Sequence, residues 1–371
     1  MHRVPIVRRK PLWLAAFALC ALAGSVSAQQ TPPAPVEQGS IDWRKANDEV
    51  SQFKRGHADV LKWESANDNG QSSQPYTPPD TWLKSADAAV RQAWRTRPEL
   101  VGPLSQLGVE NQERIAQGRW LEVDPAVRRR VEDFDTVLDV AVDARKAWLT
   151  AVAASLTLKQ QRDMQEATAA AAELARRMVR VGNWSRMEQA QWQAKLGKMK
   201  LQTLRADIEA KQAQTALLKA TKLWGVFSTV GLADAMPDMP QQALSPVALQ
   251  QGLSALRNVQ PRAESLKTSP NAQLAFDIYN ASYQATQVSM DELTLQQFIN
   301  DEVVLRYNGM LLSVWDLLTQ TNELLQAQIG AINAQRDFLI AETDLQLVLQ
   351  GGAPTSFVSL GGAGGDSAAA K

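Results

Sequence analysis

Residues 125–181 read PAVRRRVEDFDTVLDVAVDARKAWLTAVAASLTLKQQRDMQEATAAAAELARRMVRV. Beyond its first residue the stretch holds neither glycine nor proline. Asp124-Pro125 is a favourable helix start, because an Asp carboxylate accepts from free N–H groups and Pro has no N–H to leave unpaired. The spacing predicts one helix of about 57 residues, about 85 Å long. Two apolar seams run along it. One is Val127, Val131, Phe134, Leu138, Ala141, Trp148 and Val152; the other is Val137, Val140, Ala144, Ala147, Ala151, Ala154 and Leu158. Steps of three and four alternate on both, as a coiled-coil face requires, apart from a polar gap at Arg145. A helix with two seams needs two helical neighbours, so the predicted fold class is all-α, built of long antiparallel coiled-coil hairpins.

Downstream, Gly182-Asn183-Trp184 breaks the helix, and Ser185 with Glu188 has the spacing of a capping box that opens the next one. That helix runs to about Lys222 and stops at Leu223-Trp224-Gly225. Residues 226–246, with Pro237, Pro240 and Pro246, form a crossing loop, and a short helix follows that ends before Pro261. The pattern then returns. Ser269-Pro270 opens a helix to Asn308, Gly309-Met310 breaks it, and Ser313 with Asp316 caps the last one. Leu317, Leu324, Ala331, Phe338 and Leu345 recur there in sevens, with Leu318, Leu325, Ile332 and Leu339 beside them, a repeat that imposes a left-handed supercoil. Gly351 ends this helix. Upstream, a short helix from Ser85 to Thr96 stops before Pro98. Both halves therefore read short helix, proline, long helix, tight turn with a Ser cap, long helix, Gly stop: a duplication, with a first repeat at 85–225 and a second at 247–351.

The N-terminus is read as an export signal. Arg3, Arg8, Arg9 and Lys10 precede a short apolar stretch from Leu12 to Gly24, and Val26-Ser27-Ala28 supplies the small residues of a cleavage site, giving a signal peptide at 1–28. Residues 29–84 read as Pro-rich linkers around a polar amphipathic helix from Ser40 to about Asn67, and 352–371 as a disordered Gly/Ala/Ser tail. No later stretch is apolar for long enough to span a bilayer as a helix.

Composition removes whole classes of function. The 371 residues carry 39 basic and 39 acidic side chains, so no basic surplus exists to neutralise phosphates, and nucleic acid is excluded as the main partner. The lone cysteine rules out a disulfide framework and Cys-based metal sites. His57 is the one histidine left after cleavage, too few for a histidine metal site or a Ser-His-Asp triad. GGAGGD in the tail follows no strand and reads as linker. Glu132/Asp133 and Asp139/Asp143 read as solvated helix faces, and Met178, Met187, Met199, Met290 and Met310 as apolar filler rather than a soft-metal relay. No catalytic residue, metal site or cofactor is assigned, and no enzyme activity is expected.

Three segments together, AAVRQAWRTRPEL at 88–100, the stretch from Ala144 to Gly225, and LRYNGMLLSVWDLLTQTNELLQAQIGAINAQRDFLIAETDLQLVLQG at 305–351, resemble the TolC-like outer membrane efflux proteins. The resemblance covers about half of the mature chain, in both halves and in order. It implies a duplicated hairpin assembled as a homotrimer into an α-helical tunnel, working with a periplasmic adaptor protein and an inner-membrane pump. The helical tips that face the adaptor would be Gly182, Ser185 and Glu188 in the first half and Gly309, Ser313 and Asp316 in the second, with Met310 in the usual glycine place; Trp184, between them in the first turn, reads either as packing under that turn or as a further adaptor contact. Arg306 and Tyr307 correspond to positions that help close the tunnel in some members. The family also carries two β-strands in each half, pooled by the trimer into a barrel. A membrane strand needs about 9–11 residues of alternating character. The span from Ser269 to Asn308 is helix-compatible throughout, and VGPLSQLGVENQERIAQGRWLEVD at 101–124 lacks aromatic alternation. The expectation is thus a TolC-like chain without an evident β-barrel, exported to the periplasm and associated with the outer membrane. The competing reading is a periplasmic coiled-coil interaction protein with no transport activity.

Overall fold

A computed structural model of the chain describes residues 78–124, 126–258 and 262–358. The signal peptide, the amphipathic helix with His57, Pro125, Pro261 and the tail beyond 358 lie outside the described residues.

Strand β1, Thr81–Trp82, leads into helix α1, Ala86–Arg95, capped by Ser85, whose Oγ accepts from the Ala88 N–H at 3.3 Å. Short helices α2, Val101–Leu107, α3, Val109–Ala116, and α4, Val127–Arg130, occupy the stretch before the first long helix, α5, Phe134–Arg180. Helix α6, Arg186–Ala220, returns antiparallel to it. Strand β2, Val230–Gly231, lies in the crossing loop and pairs in parallel with β1, Thr81 opposite Val230. Helix α7, Pro246–Arg257, then precedes the second pair of long helices, α8, Arg262–Asn308, and α9, Val314–Leu349. Helix α6 packs along α5, α5 along α9, and α9 along α8. The four long helices therefore form one alternating layer in the order α6–α5–α9–α8. Among the described residues no helix is long and apolar enough to cross a membrane.

Two expected helix boundaries shift. The helix from Pro125 is not continuous: Val131 is extended (φ −98°, ψ 119°) and Asp133 is left-handed (φ 51°), a conformation that Asp tolerates better than most residues. Tertiary tethers impose this break against local propensity. Arg128 donates to the Gln350 carbonyl at 2.6 Å, Arg129 to the Asn258 carbonyl at 2.7 Å, and the Glu132 N–H to Gln106 Oε1 at 2.8 Å. The second correction concerns Ser269-Pro270, which does not start α8. The helix begins at Arg262 and carries Pro270 inside it, where the proline ring is exposed and removes one helical hydrogen bond. The tail also starts differently from expectation, since Phe357 packs against the core.

The core sits at the base of the layer, away from the turns. Trp148, Leu149 and Val152 of α5 meet Phe338, Leu345 and Val348 of α9, with Tyr279 and Tyr283 of α8 ringing Phe338 at 5.2 and 5.5 Å. Three buried indoles at the base have their N–H satisfied: Trp148 donates to Leu83 O at 2.7 Å, Trp94 to Val137 O at 3.2 Å, Trp120 to Ile115 O at 2.6 Å. The α9 heptads are only half-buried at Leu317, Leu318, Leu324 and Leu325 and become sealed at Phe338 and Leu345, because α1, α7 and the crossing loop cover the base alone.

One charge is enclosed in that seam. Asp344 of α9 is 1% exposed and pairs with the Lys146 ammonium of α5; neither of its oxygens receives a further hydrogen bond among the described residues. Burial raises the Asp344 pKa, and the Lys146 contact opposes the rise. Lys146→Met leaves this carboxylate without its counter-charge and is expected to cost about 3–5 kcal/mol at neutral pH. The variant's Asp344 pKa rises further, so folding gains from its protonation in acid and loses that gain as pH rises through the titration. Urea unfolding of both proteins at neutral and mildly acidic pH checks this: the deficit should shrink in acid, and a deficit indifferent to pH would refute the assignment.

Candidate functional site: the paired helical tips

Helices of this length end where the chain supplies a left-handed residue and a new cap. Gly182 (φ 82°) donates to Val179 O at 3.0 Å, and the Asn183 N–H reaches Met178 O at 2.9 Å. These two bonds close a Schellman motif. The second tip repeats it residue for residue. Met310 (φ 59°) donates to Tyr307 O at 2.9 Å, and the Leu311 N–H to Arg306 O at 2.9 Å. One constant offset carries Gly182 onto Met310, Ser185 onto Ser313, Glu188 onto Asp316 and the start of α5 at Phe134 onto that of α8 at Arg262. Gly309 is not the left-handed residue; it closes the last helical turn through Leu305 O at 3.0 Å. A methionine in the left-handed region costs about 1–2 kcal/mol that glycine avoids.

The capping boxes form at both tips. The Glu188 N–H donates to Ser185 Oγ at 3.2 Å, and the Ser185 N–H returns to Glu188 Oε2 at 2.8 Å. The matching distances at Ser313 and Asp316 are 3.3 and 3.0 Å. Donation from the Ser313 hydroxyl, then from its N–H, lowers the Asp316 pKa. Both carboxylates are thus occupied in starting α6 and α9.

Trp184 is half-buried, and its ring stacks on Trp315 of the other hairpin at 4.2 Å between centroids. Trp192 lies 5.0 Å from Trp315, with the Lys195 ammonium 4.1 Å over its own ring. Ala171, Ala172 and Ala175 of α5 supply the flat wall against which the indoles pack. This three-ring contact joins the two hairpins and places both turns at the same pole. Trp192 and Trp315 were not singled out from the sequence. The available signal was the alanine run in ATAAAAEL, small residues that leave room for large partners.

Around the indoles the tips are apolar and open: Val181, Met187 and Leu311 are exposed, and Met310 is 94% exposed. Arg306 and Tyr307 lie in the last turn of α8, also exposed; Arg306 approaches Glu302 at 4.0 Å, one turn back on the same helix. Among the described residues no group of three or more His, Cys, Asp or Glu could hold a metal ion.

No protein-family model matches the chain, and no curated protein does. Solved structures do. The chain is similar to the CmeC outer membrane channel of Campylobacter jejuni, at 11% identity over 66% of this chain and 68% of that one, TM-score 0.46. It is also similar to a membrane protein from Pseudomonas aeruginosa (12% identity, 68% and 74% covered, TM-score 0.44). A third is CusC, solved in a study of transmembrane channel formation (10% identity, 71% and 92% covered, TM-score 0.45).

Three substitutions test the tip geometry by denaturant unfolding. Ser185→Ala and Ser313→Ala should each cost about 1 kcal/mol through the lost cap. Met310→Gly should stabilise by about 1 kcal/mol, because the left-handed penalty disappears. Equal stability of Met310→Gly and the parent would mean the turn relaxes elsewhere.

Proposed function

We propose that this chain is a TolC-like component of efflux or export across the cell envelope. It is exported by its signal peptide, acts in the periplasm in association with the outer membrane, and docks a periplasmic adaptor through its paired tips. The observation that carries this reading is the open layer itself, whose two outer helices present unpartnered apolar seams. On α6, Met187, Ala190, Ala194, Gly197, Leu201, Leu204 and Ile208 alternate in threes and fours, and all are exposed. On α8, Leu274, Ile278, Ala281, Ala285, Val288, Leu295 and Ile299 follow the same rule, broken by Glu292 alone, and most are exposed. Helix α6 leads away from the tip and α8 toward it. The seam of one copy meets that of the next antiparallel and continues the alternation inside the layer. Such an edge-to-edge contact uses two different faces, so it closes as a ring when the rotation allows. A homotrimer is the ring the family resemblance implies, with an inner-membrane pump beyond the adaptor.

At the tips, the docking role is assigned to the apolar residues around Glu188 and Asp316, a reading supported by the use of both carboxylates in the caps. Met310 and Leu311 head that set, with Gly182, Trp184, Ser185, Gly309 and Ser313 shaping the turns beneath; Arg306 and Tyr307 remain the proposed gate.

The alternative reading is a periplasmic coiled-coil interaction protein without transport. It draws on the short helices α2, α3 and α4, which stand where strands would be needed. Light scattering and gene deletion separate the two. Leu204→Glu and Leu295→Glu, one on each seam, should convert a trimer to monomers with unchanged helix content, and loss of the gene should raise sensitivity to dyes, detergents, copper or silver. A monomeric parent and unchanged sensitivity would favour the interaction protein. Met310→Asp with Leu311→Asp should weaken cross-linking to the adaptor by about tenfold or more, as for loss of an interface anchor.

A further inference from the structure

Arg145 interrupts the apolar spacing of α5, and neither the helical layer nor the tips use it. A Cβ placed on Gly118 would stand 2.6 Å from its guanidinium carbon and 2.7 Å from each terminal nitrogen. Near-equal distances to three atoms of a plane mean that the guanidinium lies flat beneath Gly118. That residue has φ +78°, a conformation suited to glycine on its own account. Arg145 is partly exposed and lines a cleft of about 430 Å³ together with Lys84, Asp87, Gln117, Trp148 and Met236.

The guanidinium has no hydrogen bond or ion pair among the described residues. Burial lowers its pKa, and Glu342 and Asp87, both outside ion-pair distance, oppose the fall. Asp87 is held instead by Arg91, which also binds Glu113 at 3.0 Å. The Trp148 indole N–H is committed to Leu83 O at 2.7 Å and the ring is buried, so it forms the floor of the cleft and supplies no donor to it. Arginine stays charged at neutral pH wherever it sits, and a sheltered fork of N–H donors matches a carboxylate bidentately. The volume is within the range of small-molecule sites.

We propose that this cleft binds a small organic carboxylate. The Arg145 fork receives the two oxygens, Lys84 adds a second positive charge, and the partly exposed Met236 faces the apolar body of the ligand. Asp87 on the same wall repels a dianion, so a monocarboxylate is favoured over phosphate.

Isothermal titration of the full-length protein with sodium benzoate and sodium hexanoate tests this, with inorganic phosphate as competitor. The expected result is saturable binding of one ligand per chain, weakened about tenfold or more by Arg145→Gln and less by Arg145→Lys, which keeps the charge without the fork. Phosphate should not compete. No saturable uptake by the parent, equal affinity in Arg145→Gln, or displacement by phosphate would each overturn the assignment. Should Arg145→Gln lose its helical circular dichroism, Lys84→Gln replaces it. That change leaves the core intact and should weaken binding about threefold, the size of one partly screened charge; unchanged binding would again overturn the proposal.

Discussion

Helix α5 has to be buried on two sides at once, and most of the architecture follows from that requirement. One seam is covered by α6, its own hairpin partner, and the other by α9 from the opposite half of the chain. Among the described residues, the α5–α9 contact binds the two halves along their length, since α6 and α8 each pack along a single long neighbour. It is also where Asp344 is enclosed, with the partly exposed Lys146 as its counter-charge. A buried pair of this kind adds little net stability against a well-packed apolar pair. It does penalise a slip of one helix past the other, because any other register strands one of the charges.

The layer is unevenly consolidated. At the base, α1 to α4, α7 and the crossing loop cover both faces, and large side chains such as Trp120, Trp148 and Phe338 are sealed. Toward the tips that cover ends, and the remaining cross-hairpin adhesive is the stack of Trp184, Trp192 and Trp315 on an alanine wall. A rigid root with a lightly pinned, apolar free end is mechanically suited to contact at the end. The exposed seams on α6 and α8 extend the same logic sideways: an internal packing rule that stops at the edge of the chain is one a second copy can continue.

The two tips illustrate how much a duplication constrains. Their hydrogen bonds coincide although glycine occupies the left-handed position in one and methionine in the other. The Ser caps and the carboxylates three residues on hold each turn from the far side, so backbone geometry persists at a residue that disfavours it. The side chain carried there is almost wholly exposed, so its retention has no explanation in the packing of the isolated chain.

Much of this was legible from residues alone. Periodicity placed the long helices and their seams, and the Ser-x-x-Glu and Ser-x-x-Asp spacings placed the capping boxes. These are contacts between residues three, four or seven apart, and such contacts travel with the local sequence. What pattern reading missed depended on partners far along the chain. The break at Val131–Asp133 is drawn by Gln106, Asn258 and Gln350. The meeting of Trp184 with Trp315 requires two hairpins in one register. The polar gap at Arg145 has its counterpart in Gly118, from a different element. The sequence by itself therefore determined the helices, their caps and which stripes had to be buried, because those follow from one helix's own periodicity. Only the tertiary structure decided which stripes found partners inside the chain and which were left outside, because that depends on how many neighbours the fold can bring to each helix.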